Sequence, residues 1–125
     1  MSRHRKVLVV DDDENIRSAF KDFLKREHCS TVVASSAEEA LKKAEGQAID
    51  LVITDVRLKS QSGVTLFMQI KAERPELPVI VITGYPNLIA EEELRTLGAD
   101  YFFVKPLELD KLRDAVRKCL HLNSK

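Results

Sequence analysis

Neither sign of charge is in excess in this 125-residue chain: 20 lysines and arginines stand against 20 aspartates and glutamates. Nucleic-acid-binding domains usually carry a basic excess on one face. A balanced chain of pI about 6.8 gives no support to direct DNA or RNA contact. Long apolar runs are missing as well. Stretches such as Val79 to Ile82 fall far short of the roughly 20 residues that span a membrane. The basic start, Met1 to Lys6, leads into a short apolar stretch and then into acids, which is not the pattern of a signal peptide. Cysteine is scarce: Cys29 and Cys119 lie far apart, with no CxxC and no histidine at zinc spacing. Reduced thiols in a cytoplasmic protein are the expectation. Neither a phosphate loop of the form GxxxxGK(S/T) nor GxGxxG occurs, so nucleotide binding has no motif behind it. There is no repeat, low-complexity tract or linker, and the length fits a single domain with a core over about residues 6–121. The tail from His121 to Lys125 reads as a frayed end.

What the chain does have is alternation. Short β-branched runs at Val7–Val10, Thr31–Ala34, Leu51–Thr54, Val79–Thr83 and Tyr101–Val104 are nearly continuous in apolar character. That is the pattern of strands covered on both faces in a parallel sheet. Helical periodicity fills the gaps. Ile16, Ala19, Phe20, Phe23 and Leu24 form one stripe, and Ala37, Ala40, Leu41 and Ala44 a weaker one. Ser36 stands three residues before Glu39, the spacing of a capping box, and Gly46 marks that helix's end. Further helices are expected over about Gly63 to Arg74, over about Asn87 to Leu97 with Gly98 as its stop, and around Leu109, Leu112, Val116 and Leu120. In the last of these, Glu108 and Asp110 in the first turn and Arg117 and Lys118 in the last turn suit the helix dipole. The order is strand then helix, five times over. It predicts an α/β, doubly wound parallel sheet with right-handed crossovers and helices on both faces.

In such sheets functional groups collect at the carboxyl ends of the strands. Those ends carry Asp11-Asp12-Asp13, Asp55, Thr83, and Lys105-Pro106. Each has a plain alternative. The three aspartates suit a helix N-cap, Asp55 an ordinary loop, Thr83-Gly84 a strand end with a turn, and Lys105 a solvated position before a helix-starting proline. What the alternatives leave unexplained is carboxylates, a hydroxyl and an amine converging at four neighbouring strand ends.

Val9-Val10-Asp11-Asp12-Asp13, Leu51-Val52-Ile53-Thr54-Asp55, Val81-Ile82-Thr83-Gly84 and Phe103-Val104-Lys105-Pro106 together resemble the four signature segments of response-regulator receiver domains of bacterial two-component systems. The resemblance covers nearly the whole chain, and the intervals between segments match too. It implies a flavodoxin-like (βα)5 sandwich with a five-stranded parallel sheet of order 2-1-3-4-5. It also implies a phosphoacceptor at Asp55, which takes a phosphoryl group from a histidine kinase or a small-molecule donor. Mg²⁺, with Mn²⁺ able to substitute, would be held by Asp12 and Asp55 directly, by Asp11 through water, and by the backbone carbonyl of Arg57. Lys105 and the Thr83 hydroxyl would take phosphoryl oxygens, and the Lys105–Pro106 bond would be cis. Phe102 would be the aromatic switch, drawn inward when Thr83 moves, with Tyr101 on the other face of the sheet. Its plain alternative, a core aromatic, is compatible with that. Arg57 and Tyr85, two residues past the acceptor and the threonine, would shield the acyl phosphate and lengthen its life.

Asp13 lies outside the family's acidic pair and is the expected helix cap. Without a cation the crowded carboxylates should push at least one pKa up. The chain departs from the family at Lys59 and Ser62, where a proline and an acid are common. Such a domain is a regulator rather than an enzyme acting on an outside substrate. Its implied partners are a sensor histidine kinase or phosphotransfer protein, an effector domain or protein, and a second copy through the face of the fourth helix, fifth strand and fifth helix. Two other readings stay open on sequence. The Asp-x-Asp of Asp11 to Asp13 also suits a haloacid-dehalogenase-type phosphatase, although that leaves Asp55 without a role. The fold also suits a flavin binder, although acidic strand ends repel an anionic cofactor.

Overall fold

The computed structural model describes residues 5–55, 63–84, 95–96 and 98–120. Its strands are β1 (Arg5–Val10), β2 (Cys29–Ala34), β3 (Leu51–Asp55), β4 (Val79–Thr83) and β5 (Tyr101–Val104). Helices α1 (Glu14–Arg26), α2 (Ala37–Gly46), α3 (Gly63–Glu73) and a C-terminal helix (Leu109–Cys119) run between and after them. All strand pairs are parallel, in the order β2-β1-β3-β4-β5. This is the expected doubly wound sheet. The fourth helix expected over Asn87 to Leu97 lies outside the described residues, except for helical Arg95 and Thr96.

Successive strand residues point to opposite faces, and this divides the core in two. Leu8, Val10, Val52, Val79 and Val81 pack with Ala37, Ala40, Leu66, Phe67 and Ile70, on the side of α2 and α3. Val7, Val9, Leu51, Ile53, Ile80 and Ile82 pack with Phe20, Phe23, Leu24, Leu112 and Val116, on the side of α1 and the C-terminal helix. β3 and β4 are buried along their whole length, as continuous apolar runs predict. The edge strands differ: β2 is buried only at its ends, and β5 is half-buried to exposed throughout. A strand at the rim has a neighbour on one side only and less helix over it. Each fully buried aliphatic side chain contributes about 1.5–3 kcal/mol by leaving water, so the central strands hold the sheet.

Local signals at helix ends are realised. The Ser36 hydroxyl accepts from the Glu39 N–H, and Glu39 reaches back to the Ser35 N–H at 2.7 Å. Gly98 takes φ +108° and donates to the Arg95 carbonyl, a conformation L side chains rarely adopt. Two details differ from expectation. Glu108 occupies the N-cap of the C-terminal helix rather than its first turn, and makes no side-chain cap bond. Ala19 and Leu109, placed on apolar stripes by the sequence, are exposed. Both stripes are wider than the core beneath them.

Candidate functional site

Each candidate group reaches the carboxyl edge of the sheet by the end of a strand. β1 delivers Asp11, whose own N–H is fixed to the Ala34 carbonyl of β2 at 3.1 Å. β3 ends on Asp55 and β4 on Thr83. Beside them the Lys105 N–H donates to the Thr83 carbonyl at 2.8 Å, tying the lysine to the end of β4. The Lys105–Pro106 peptide bond is cis. Asp11 and Asp55 are only 5% and 7% exposed, and Thr83 is fully buried, so water solvates none of them well.

The side chains meet. The Lys105 ammonium donates to Asp55 Oδ2 at 2.8 Å and lies 3.6 Å from Asp11 Oδ2. Burial alone pulls a lysine pKa down, but the hydrogen bond to Asp55 and the attraction of Asp11 and Asp55 outweigh it. The Lys105 pKa lies above the ordinary value. The rise expected of one carboxyl falls on Asp11. Its main cause is burial, with repulsion from Asp55 adding to it, while the Asp13 N–H and Lys105 work the other way. Asp12, the next residue along the chain from Asp11, is half-buried. Asp13 turns away and caps α1, its Oδ1 accepting from the Asn15 N–H at 2.8 Å. The acidic triplet is therefore divided by its contacts: Asp11 faces Lys105 and Asp13 caps the helix.

Among the described residues no three acidic, histidine or cysteine side chains already surround one metal-sized point. The donor chemistry nonetheless fits a hard divalent cation. Two carboxylates, Asp11 and Asp55, crowd one ammonium, with Asp12 the next residue in the chain, and Mg²⁺ typically takes one or two carboxylates and keeps several waters. Asp11, Asp12 and Asp55 are the residues that would hold it. Arg57 and Tyr85 lie outside the described residues, as does the loop with Lys59 and Ser62. Phe102 sits half-buried on the α2–α3 side of β5, while Tyr101 and Phe103 face the other side and stack at 6.3 Å.

Next to the site lies an apolar groove of about 350 Å³ between α1 and the C-terminal helix, lined by Ile16, Ala19, Pro106, Leu107 and Leu109, with Lys105 at its edge. Sequence reasoning missed it. The surplus width of the two apolar stripes was the available signal.

Residues 7–117 match the family model of the response regulator receiver domain. The chain belongs to the response-regulator receiver domains. Sporulation initiation phosphotransferase F of Bacillus subtilis is 32% identical over 121 residues, covering 97% of this chain and 98% of that protein. The response regulator protein PilR of Pseudomonas aeruginosa is 36% identical over 124 residues, 99% of this chain but only 28% of PilR. Similar domains thus occur both nearly alone and as a quarter of a longer protein. Among solved structures, response regulator protein TrrA of Thermotoga maritima, in complex with Mg²⁺ and BeF, superposes with a TM-score of 0.85 at 34% identity. That match covers 93% of this receiver domain and 99% of TrrA. Acceptance of a phosphoryl group on an aspartate, with Mg²⁺, is typical of the family. Among the described residues no helix is long and apolar enough to cross a membrane.

Proposed function

We propose that this receiver domain is a phosphorylation switch with Asp55 as its acceptor. The observation that supports it most directly is the buried Asp55 carboxylate at the end of β3, hydrogen-bonded at 2.8 Å to the Lys105 ammonium that also attracts Asp11. An Asp55 oxygen attacks the phosphorus of a phosphohistidine or of a small acyl phosphate. The P–N or P–O bond to the donor breaks, its electron pair leaves with the donor, and Asp55 becomes an acyl phosphate. Charge spreads over the three phosphoryl oxygens, so the protein's task is to position and neutralise. Lys105 supplies a fixed positive charge and Thr83 a hydroxyl donor. A divalent cation held by Asp11, Asp12 and Asp55 would shield the remaining charge. The groove that ends at Lys105 offers the phosphodonor, a sensor kinase or phosphotransfer protein, an apolar surface on which to lie.

The readout runs through Thr83 and Phe102. A phosphoryl group can bias the switch only through contacts that differ between its two states. The Thr83 hydroxyl is such a contact, and Phe102, half-buried two register positions from Thr83 on the adjoining strand, is the side chain that responds. A partner or a second copy then meets an altered β5 face.

One experiment tests both halves. NMR spectra of Asp55→Asn and Thr83→Ala are compared with wild type in Mg²⁺ and beryllium fluoride. Wild type should respond from Asp55 through to Phe102. Asp55→Asn should not respond at all, and Thr83→Ala should respond at Asp55 but not at Phe102. A full response in Asp55→Asn would refute the acceptor, and a full response in Thr83→Ala would refute the relay.

A further inference from the structure

One basic residue stands in the first turn of α1, where the helix dipole favours acids. Arg17 is the fourth residue of that helix and is half-buried. Its guanidinium Nη1 donates to the Asp11 carbonyl at 2.6 Å, while its backbone N–H donates to the Asp13 carbonyl at 3.1 Å. One residue therefore grips the acidic turn on both sides of Asp12.

The grip answers a physical conflict. The first N–H groups of a helix lack partners within it and draw in nearby carboxylates. Asp13 follows that pull and caps α1. Asp11 resists it and faces Asp55 and Lys105 instead, and Asp12 leaves the strand from the peptide that follows. The Asp11 N–H is held by Ala34 and its Oδ1 by the Asp13 N–H at 2.9 Å. The Asp11 carbonyl is held by Arg17, and a charged donor makes this bond stronger than a neutral one would. The peptide joining Asp11 to Asp12 begins at that carbonyl, so fixing it fixes the direction in which Asp12 leaves the strand.

We propose that Arg17 is a positioning residue, which holds the Asp11–Asp12 peptide so that both carboxylates face the phosphoacceptor. This rests on the reading that these acids bind a divalent cation. Partners that orient a metal ligand typically affect affinity about 10–100-fold.

Mn²⁺ alone is the probe, with the free ion counted by electron paramagnetic resonance. Wild type, Arg17→Ala, Arg17→Met and Arg17→Lys are titrated, and the folded fraction of each is measured by circular dichroism. Arg17→Ala and Arg17→Met should bind about tenfold more weakly, and Arg17→Lys, whose ammonium can donate to the same carbonyl, should recover to within about threefold of wild type. Met keeps the apolar stem, so it remains a fair test if the alanine variant does not fold. Folded Arg17→Met or Arg17→Ala with affinity equal to wild type would overturn the inference, as would Arg17→Lys no better than Arg17→Met. Wild type that binds no Mn²⁺ would instead overturn the proposed function, and this inference with it.

Discussion

The two edges of the sheet use aspartate in opposite ways. Where the strands begin, Asp50 and Asp100 each stand one residue before a strand and serve the next one over. Asp50 accepts from the Lys6 N–H at 2.8 Å, and Asp100 from the Val79 N–H at 2.8 Å. Lys71 joins that arrangement, donating to Asp100 at 3.1 Å and to the Leu77 carbonyl at 2.8 Å. The acids there meet backbone N–H groups that would otherwise be short of partners. Where the strands end, Asp11 and Asp55 gather around one ammonium, and burial holds the Asp11 pKa up. The first edge puts its acids to use in folding. The second buries two acids beside one another, an arrangement that typically accompanies a functional site.

Mutations that treat the two edges as interchangeable should break this contrast. The largest effect belongs to Asp12→Ala. Losing an outer partner of a ligand already costs about tenfold in metal affinity, and losing a ligand should cost more. Mn²⁺ titration should show that loss while the thermal midpoint without metal hardly moves. A lowered midpoint with unchanged binding would place Asp12 with the structural acids. Asp100→Ala is the converse. Leaving the part-buried Val79 N–H unpaired should cost about 1–2 kcal/mol in urea unfolding. Mn²⁺ affinity should stay as in wild type, and a drop there would mean that the edges are coupled.

The smallest effect carries the clearest sign. The Asp11 pKa is raised in the folded state, chiefly by burial, so folding disfavours its ionised form. That destabilisation is present in full above the raised value and fades as pH falls toward the ordinary aspartate range. Asp11→Asn cannot ionise and can still accept from the Asp13 N–H. It should therefore make the metal-free protein more stable at neutral pH, with the advantage shrinking on acidification. Paired unfolding curves across pH check this. An Asn variant less stable than wild type at neutral pH would show that the pairing with Lys105 outweighs the burial of Asp11.

Much of this was written in local pattern. The strand and helix order follows from apolar period, because a strand covered on both faces and an amphipathic helix each need their own spacing of apolar residues. The Ser36–Glu39 capping box, the stop at Gly98 and the cap at Asp13 depend on atoms a few residues apart, so they too can be read from the chain. The motif positions of Asp55, Thr83 and Lys105 placed them at strand ends, and parallel topology made those ends neighbours. What the sequence could not state is which groups would touch. Lys105 reaches Asp55 across 50 residues, and Arg117 reaches Glu27 across 90. The double service of Asp50 and Asp100 depends on the register between strands, and the groove between α1 and the C-terminal helix depends on how far apart the two helices settle. Arg17 is the sharpest case. By composition it is one more solvated base on a charged helix; its partner is only six residues back, yet the geometry of the turn from β1 into α1 decides that its guanidinium meets the Asp11 carbonyl. Periodicity and capping are properties of a chain folding against itself locally. Charge partners, strand register and cavities exist only once distant segments share one space.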